Sequence, residues 1–508
     1  MLLVLAAAEA APSPHIHTPG SPAQLVAAVK EHLETGEGCL TPLVAELKQR
    51  AAELSPEERA WATRMFNPGK RDFLDAPDHG PAGPPPPDAG EPCNSPASLG
   101  VGDGDNELSS EHFTVMWDGN TIDEDTAQEF LDALEDGWRV EVDELGWKEP
   151  MMSSQYKMLA FVAQGNYASA YTTVDYCGSS FSPYIVAYAG SFYNRSWGQT
   201  MAVHEFNHST QFSYGFAWEF YWWEATATYM EGQVYPSSTW WAESVYGWAA
   251  NPQLAFNASD QGDDDIFWHM YGMAIWAQYL HENVDGNATV LGTWEAAENE
   301  RGTYSFSMAD AMLEMDLDFD ALFEDFIVKN TVMAYEAQRD LPSPNELSGI
   351  DELPASEEVD GSERPQGYGQ TYTRIDAGAG NGDLIINFSG ETDVNWAVHL
   401  VEVDRNSVLR DLKVDVVDGV GTATLEGFGD EDVMLVVAPM EEGDSKYNYS
   451  YTLALAEVPE VEDTGTDTPG KNANAGEEAA GCGCDAGGGG AAGVGVLLGL
   501  LAVGRRRR

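Results

Sequence analysis

The sequence predicts an α+β fold in the middle of the chain and an all-β domain after it. Between residues 107 and 190, most segments alternate apolar and polar residues with period two, as strands do. From about residue 197 to residue 336, apolar residues recur at helical spacing instead. After residue 367 the period of two returns, and 508 residues are too many for one ordinary domain.

The amino-terminal region predicts a small helical segment at residues 11–75. Ser21-Pro22, Thr41-Pro42 and Ser55-Pro56 each place a capping hydroxyl before a proline at the first helical position. A proline- and glycine-rich linker is expected at residues 76–106. The segment ahead of that linker is either a propeptide or an ordinary helical extension.

Residues 107–341 are expected to form the α+β domain. One helix, at 123–145, is predicted among strands at 112–117, 156–163, 169–176 and 183–190. Helices alone are predicted afterwards, at 197–213, 218–233, 239–249, 264–283, 307–315 and 318–336.

The last third of the chain predicts a linker, a β domain and a tail. Four prolines and many polar residues indicate a linker at 342–366. Short alternating segments separated by turn residues predict a β-sandwich at 367–458. A disordered spacer is expected at 459–481.

A metal-binding pattern lies in the first of the later helices. Residues four apart on a helix lie nearly above one another, so His204 and His208 can present both imidazoles to one ion. Zinc readily accepts neutral imidazole nitrogen. Glu205 follows the first histidine and is placed to take a proton from a water on the metal.

A catalytic zinc usually has three protein ligands and one water. The metzincin arrangement needs glycine at position 211 and histidine at position 214, where this chain has Gln211 and Tyr214. The other common arrangement takes a glutamate from a second helix. Glu224 fits, because sixteen residues after His208 leave room for a turn at 213–215 and a reversal. Glu219 and Glu231 are the alternative ligands.

With this ligand set the chain resembles the gluzincin zinc metallopeptidases, whose zinc is held by His, His and Glu. The run WWEATATYME at 222–231 is also similar to a motif of secreted myxobacterial metalloproteases. The resemblance implies a small sheet above the active-site helix and a helical lobe below it. In that layout the strand at 183–190 can pair with an extended substrate at the sheet edge.

The reaction also needs a donor for the negative charge that develops on the scissile carbonyl oxygen. His269 and Tyr271 are the candidates, and the gluzincin resemblance favours a tyrosine or histidine from a later helix.

Composition limits the partners. The net charge is −59, with 84 acidic residues against 25 lysines and arginines, so nothing is available to neutralise the phosphates of a nucleic acid. Ca²⁺ is a second cofactor to consider, at Asp103 and Asp105 or at 263–265, although neither run has the spacing of an EF-hand.

Both ends indicate export. Residues 1–10 form a short apolar run ending in Ala-Glu-Ala, typical of a signal peptide, though without a basic start. At the other end, residues 482–508 begin at Cys482, contain an uncharged stretch at 486–504 and end in four arginines. This ending resembles the MYXO-CTERM sorting signal of myxobacterial surface proteins. It implies a tail inserted in a membrane before a sorting protease acts, and a secreted or outer-membrane surface location in a Gram-negative bacterium.

The sequence therefore predicts a zinc-dependent endopeptidase acting on protein or peptide substrates outside the cytoplasm. Two alternatives remain: a zinc aminopeptidase or other amide hydrolase, and a surface adhesin with a zinc site. The remaining cysteines, Cys39, Cys93 and Cys177, allow one disulfide, whose pairing the sequence does not define.

Overall fold

The computed structural model describes residues 21–35, 37–39, 43–44, 47, 50, 53–66, 90–166, 168–177, 180–259, 263–300, 305–336 and 341–456. The expected signal peptide, the spacer at 459–481 and the tail at 482–508 lie outside this part. Within it, mixed helices and three small sheets confirm the α+β class. None of the described helices combines the length and the apolar character needed to cross a membrane.

The first sheet has six strands in the order β1-β5-β6-β4-β3-β2. The strands are β1 (Glu37–Cys39), β2 (Asn106–Ser109), β3 (Phe113–Trp117), β4 (Met158–Ala163), β5 (Ala168–Cys177) and β6 (Ser180–Tyr188). Strands β3, β4 and β6 run parallel, whereas β5 is antiparallel to β6. Strand β6 is thus an inner strand, and the expectation that it offers an open edge is wrong. Its neighbour β5 lies nearer the edge, where β1 pairs in parallel with residues 168–170.

The amino-terminal helices cover one face of this sheet. They are α1 (Pro22–Thr35) and α2 (Pro56–Phe66), and Ser55 and Glu58 form a capping box at the start of α2. Leu25 and Val29 of α1 share a buried cluster with Phe161 and Tyr184 of the sheet. The segment therefore forms a layer of the fold. A short helix, α3 (Pro96–Leu99), follows, and a disulfide joins Cys93 to Cys177.

Two helices cover the other face. Asp123 caps α4 (Glu124–Trp138), which continues into a π-helical turn, Arg139–Glu144. Asn194 caps α5 (Arg195–Gln211) by accepting hydrogen bonds from two backbone amides, those of Ser196 and Trp197. The second helix carries the HExxH residues and is packed so that its last two-thirds is almost entirely buried.

A helical lobe follows. Its members are α6 (Phe220–Val234), α7 (Trp240–Ala250), α8 (Asp264–Gly272), α9 (Ala274–Leu280), α10 (Asn287–Ala296), α11 (Met308–Glu314) and α12 (Phe319–Lys329). The single helix expected at 264–283 is instead α8 and α9, separated at Met273, with a π-helical turn at His281–Asp285. Helices α7 and α8 pack so closely that a Cβ on Gly247 would lie 1.9 Å from the backbone oxygen of Trp268.

Helix α10 was not expected from the sequence. Its β-branched residues and central glycine have low helix propensity. Packing overrides that preference, because Val290, Thr293 and Trp294 are almost fully buried in the lobe.

The rest of the described chain forms two five-stranded sheets that share one core. One has the order β13-β14-β10-β16-β8 and the other β12-β11-β15-β9-β7. The strands are β7 (Glu346–Ile350), β8 (Ala355–Glu358), β9 (Thr371–Ile375), β10 (Gly382–Gly390), β11 (Trp396–Asp404), β12 (Ser407–Lys413), β13 (Val416–Val417), β14 (Val420–Phe428), β15 (Asp432–Pro439) and β16 (Tyr449–Leu455).

Residues 342–366, expected as a linker, supply an edge strand to each of these sheets, β7 and β8. The sandwich also packs on the helical lobe. The Tyr372 hydroxyl donates to the backbone oxygen of Ile327 at 3.3 Å, and Tyr368 donates to Asp320 at 2.7 Å. The β domain and the helical lobe therefore belong to one compact unit.

Candidate metal centre

The two histidines and Glu224 meet because α5 and α6 pack against each other. The chain reverses between them at Gly215, whose φ of +112° lies in the left-handed region that glycine tolerates. His204 and His208 project from α5 one turn apart, with ring centroids 4.9 Å apart. Glu224 projects toward both from the first half of α6 and is fully buried.

The donor atoms of these three residues all lie within 4.8 Å of one another. Nε2 of His204 lies 3.1 Å from Glu224 Oε2, and Nε2 of His208 lies 3.7 Å from Glu224 Oε1. Ligands about 2.0–2.1 Å from a tetrahedral ion are roughly 3.3 Å from each other. The group can therefore hold a metal ion with little movement.

Polar atoms around the centre agree with that conclusion. Nδ1 of His204 is 2.9 Å from Glu231 Oε1, and Nδ1 of His208 is 2.7 Å from Gln211 Oε1. Both acceptors favour a proton on Nδ1, which leaves Nε2 to offer a lone pair. Glu224 Oε1 is buried and has no hydrogen-bond partner in the described part of the chain. A cation would interact favourably with the two Nε2 lone pairs and with Glu224 Oε1. Without a cation, burying this carboxylate beside the two lone pairs costs free energy.

In the absence of a metal, the surroundings of the two histidines shift their pKa values in opposite directions. Burial lowers the pKa of His204, but the carboxylates of Glu224 and Glu231 outweigh burial and raise that pKa to about 10. Burial lowers the pKa of His208 to about 4, despite the attraction of Glu224. Metal binding must therefore displace a proton from His204.

Glu205 lies beside the centre and is almost fully buried. The Thr172 hydroxyl, on β5, lies 2.7 Å from Glu205 Oε2 and 2.8 Å from the backbone oxygen of the same residue. The side chains of Glu205 and His204 both line a cleft that opens beside the centre. Strand β5 thus fixes the orientation of this carboxylate.

The two expected oxyanion donors lie in different surroundings. Tyr271 lines the cleft, stacks on the His204 ring with centroids 5.9 Å apart, and lies near Glu224. His269 is buried away from the cleft lining, and its ring nitrogens make no regular hydrogen bond to a described residue. Burial lowers the pKa of His269 to about 4, with the nearby backbone of Ala255 and Asn251 opposing the shift.

The alternative ligands, Glu219 and Glu231, do not belong to the group of metal-binding donors. Glu219 precedes α6, and its Oε1 accepts a hydrogen bond from Asn257 Nδ2 at 3.0 Å, outside the cluster of metal-binding donors. Glu231 touches the centre only through His204 Nδ1.

Neither proposed calcium loop gathers ligands in the described residues. Asp118 Oδ1 accepts hydrogen bonds from the backbone amides of Asp103 and Gly104, and Asp263 caps α8 through the amides of Asp265 and Ile266. The group of His204, His208 and Glu224 is the one cluster of three candidate ligands found among these residues.

A cleft of about 670 Å³ opens in front of the centre. The amino-terminal part of β5, helix α5 and helices α7 and α8 provide its walls, and Ala168 of β5 is among the lining residues. Among the described residues, six aromatic side chains line it: Tyr193, Trp197, Trp240, Tyr246, Trp268 and Tyr271. Carboxylates of Glu205, Glu231, Glu243 and Asp265 also line it, and none of the described lining residues is lysine or arginine.

The roles of several of these neighbours beside the ligands were not expected from the sequence. Glu231 lies two helical turns after Glu224 on the same face of α6, so its spacing could have indicated a role beside the ligands. Gln211 lies three residues after His208 and could have been found in the same way. Thr172 carries no local signal, because the fold alone brings β5 beside α5.

No protein-family model matches the chain, and no curated protein matches it. Among solved structures, the chain is similar to one described as a novel family GH115 4-O-methyl-α-glucuronidase with specificity for decorated arabinogalactans. The similarity has a TM-score of 0.14 and 8% sequence identity, and it covers 54% of this chain and 46% of that one. The chain thus spans about half of that enzyme, and a similarity this low carries no argument about fold or function.

Proposed function

We propose that this protein is a gluzincin-like zinc endopeptidase that acts outside the cytoplasm. The observation that carries the proposal is the convergence of His204, His208 and Glu224, with Glu205 beside His204 in the wall of the cleft. Two nitrogen donors and one carboxylate are the ligand set of a catalytic zinc rather than of a closed structural site. His204, His208 and Glu224 would hold the Zn²⁺, and the bound ion would supply a water with a pKa of about 7 and a Lewis acid for the scissile carbonyl.

Glu205 is the proposed general base. Because Thr172 holds one of its oxygens, the carboxylate is oriented before substrate arrives. Glu205 takes the proton from the attacking water as the C–O bond forms, and it gives that proton to the leaving amine as the C–N bond breaks. A positioned base of this kind contributes roughly 10²–10⁴-fold to the rate.

Tyr271 is the proposed oxyanion donor. Its hydroxyl is beside Glu224, at the side of the centre that faces the cleft. A tyrosine hydroxyl there can donate a hydrogen bond to the substrate oxygen as negative charge develops on it. His269 has no part in the proposal, since it does not line the cleft.

Two further observations support the substrate class and the location. The cleft has aromatic walls that suit apolar side chains, and none of the described residues that line it is a lysine or arginine that would bind a terminal carboxylate. The disulfide between Cys93 and Cys177 is typical of proteins in oxidising compartments. It therefore supports export, which the two terminal sequence patterns also predict.

The test uses the full chain with its metal content measured, and a library of quenched peptides with free or blocked ends. We expect about one zinc per chain and cleavage inside end-blocked peptides. Glu205→Gln should keep zinc and the Thr172 contact but lose at least about a hundredfold in kcat. Glu219→Gln, a buried acid outside the cleft, is the matched control and should cleave normally.

Other results would replace the proposal. Cleavage of free-ended peptides alone would identify an aminopeptidase or carboxypeptidase. Zinc binding without any cleavage would favour a surface adhesin with a zinc site. Wild-type rates in Glu205→Gln would disprove the assigned base.

A further inference from the structure

A series of hydrogen-bonded, buried side chains begins at His208, on the side of the ring away from the cleft. His208 Nδ1 lies 2.7 Å from Gln211 Oε1, and both residues are fully buried on α5. The other histidine has a carboxylate, Glu231, in the corresponding position. The two rings are therefore supported by different chemical groups, an amide and a carboxylate.

The orientation of the Gln211 amide is fixed by its other end. Its Nε2 has three acceptors within hydrogen-bond distance: Asn207 Oδ1 at 2.7 Å, the Trp223 backbone oxygen at 3.0 Å and Thr226 Oγ1 at 2.9 Å. Thr226 Oγ1 acts as an acceptor here, because its hydroxyl donates to the Trp222 backbone oxygen at 2.7 Å. A flipped amide would place its oxygen against all three, so Oε1 must face the histidine.

The Asn207 amide is fixed in turn. Its Nδ2 donates to Glu141 Oε2 at 2.8 Å, which leaves Oδ1 to accept from Gln211. Glu141 is fully buried in the π-helical turn after α4. This series of hydrogen bonds crosses from that turn through α5 to α6, and the Trp223 backbone oxygen, which can only accept, determines its direction.

We propose that Gln211 is a positioning residue that holds His208 with its proton on Nδ1 and its Nε2 lone pair turned toward the metal, and that this task requires an amide. Support of this kind behind a metal-binding histidine typically changes metal affinity by roughly 10–100-fold. A carboxylate at position 211 could accept from Nδ1, but its second oxygen would face the Trp223 backbone oxygen and Asn207 Oδ1. The inference rests on the proposed metal site, although not on peptidase activity.

The competing explanation is a glutamine that merely satisfies buried polar atoms between α5 and α6. Both explanations predict that Gln211→Met lowers the melting temperature of the metal-free protein. The two explanations predict different zinc affinities. If Gln211 acted only through packing, replacing any buried glutamine should change zinc binding to the same extent. Gln278 of α9 is also buried, and its Nε2 donates a hydrogen bond to Glu282 Oε1 at 2.7 Å.

The test measures zinc affinity of the full chain by competition with a chelator, for wild type, Gln211→Met, Gln211→Glu and Gln278→Met. We expect roughly 10–100-fold weaker binding for Gln211→Met, no recovery for Gln211→Glu, and wild-type affinity for Gln278→Met. The visible spectrum of bound Co²⁺ should change in the two Gln211 variants alone. Wild-type affinity in Gln211→Met, recovery in Gln211→Glu, or equal loss in Gln278→Met would each overturn the inference.

A measurement on wild type keeps the inference testable if the variants do not fold. ¹⁵N NMR of histidine-labelled, zinc-loaded protein should show His208 protonated at Nδ1, and protonation at Nε2 would overturn the inference. Failure of wild type to bind zinc would refute both this inference and the proposed function. Zinc binding without peptide cleavage would refute the proposed function alone.

Discussion

Replacing Glu224 with glutamine removes one charge from the metal centre and hardly changes its shape. Glu224 is fully buried, so neither side chain can turn toward solvent. Its two oxygens lie 3.1 Å and 3.7 Å from the Nε2 atoms of His204 and His208. Glutamine keeps one neutral oxygen in this place, and the expected result is a weaker site rather than a collapsed one.

The size of the effect follows from dividing the binding free energy among the ligands. Structural zinc sites in small proteins bind with about 10–16 kcal/mol. Those sites have four protein ligands, so an equal share for each ligand is about 2.5–4 kcal/mol, or roughly two to three orders of magnitude in Kd. The neutral oxygen of glutamine retains part of that share, so we expect a loss near the lower end, about a hundredfold.

The assay is competition between the protein and a chelator of known zinc affinity, with the metal-free melting temperature measured in parallel. Glu219→Gln is the control, because Glu219 is a buried acid next to the same helix but outside the metal-binding cluster. The control should bind zinc as wild type does. If Glu224→Gln also bound zinc with wild-type affinity, Glu224 would not be a ligand and the reasoning would be refuted.

Four other predictions follow from the same structure. Tyr271→Phe should keep its zinc and lose about a hundredfold in kcat if the hydroxyl stabilises the oxyanion, and an unchanged kcat would exclude that role. Burial raises the pKa of Glu219 to about 8, so the unfolded chain ionises this group first, and stability falls as pH rises from about 4.5 to 8. Urea unfolding should then show Glu219→Gln more stable than wild type at pH 8, by on the order of 4 kcal/mol, with little difference near pH 4.5; equal pH profiles would contradict the shift. Replacing Cys93 and Cys177 with serine opens a loop of 84 residues, and urea unfolding should show a free energy of unfolding lower by about 4 kcal/mol. An unchanged free energy of unfolding would mean that the bridge does not form. A chain without residues 1–89 should bind a hydrophobic dye and aggregate, because the sheet face around Phe161 and Tyr184 loses its cover; a soluble, monomeric product would instead fit a removable propeptide.

The spacing of the histidines and Glu224 predicted a metal-binding group, and the structure brings these three residues together. That prediction worked because helical periodicity fixes which residues share a face, and sixteen residues suffice for a turn between two packed helices. The same rules place Gln211 and Glu231 beside the centre, although neither was assigned its role as a partner of Nδ1. Thr172 and Glu141 depend on contacts between distant segments, which no local pattern indicates.

The main errors in the fold have similar causes. The order of strands in a sheet is a long-range property, so the alternation in residues 183–190 could not indicate that β6 lies inside the sheet. Composition suggested a linker at 342–366, yet β7 and β8 pair with sandwich strands there. Helix α10 forms against its local propensity because its buried residues pack in the lobe.

X-ray absorption at the zinc edge, on the full chain purified with zinc, tests the metal centre most directly. We predict one zinc per chain, with only nitrogen and oxygen neighbours at about 2.0–2.1 Å and the scattering pattern of two imidazoles. His208→Ala should remove one imidazole from that pattern. A chain that retains no stoichiometric metal, or a spectrum with sulfur ligands, would contradict the central claim.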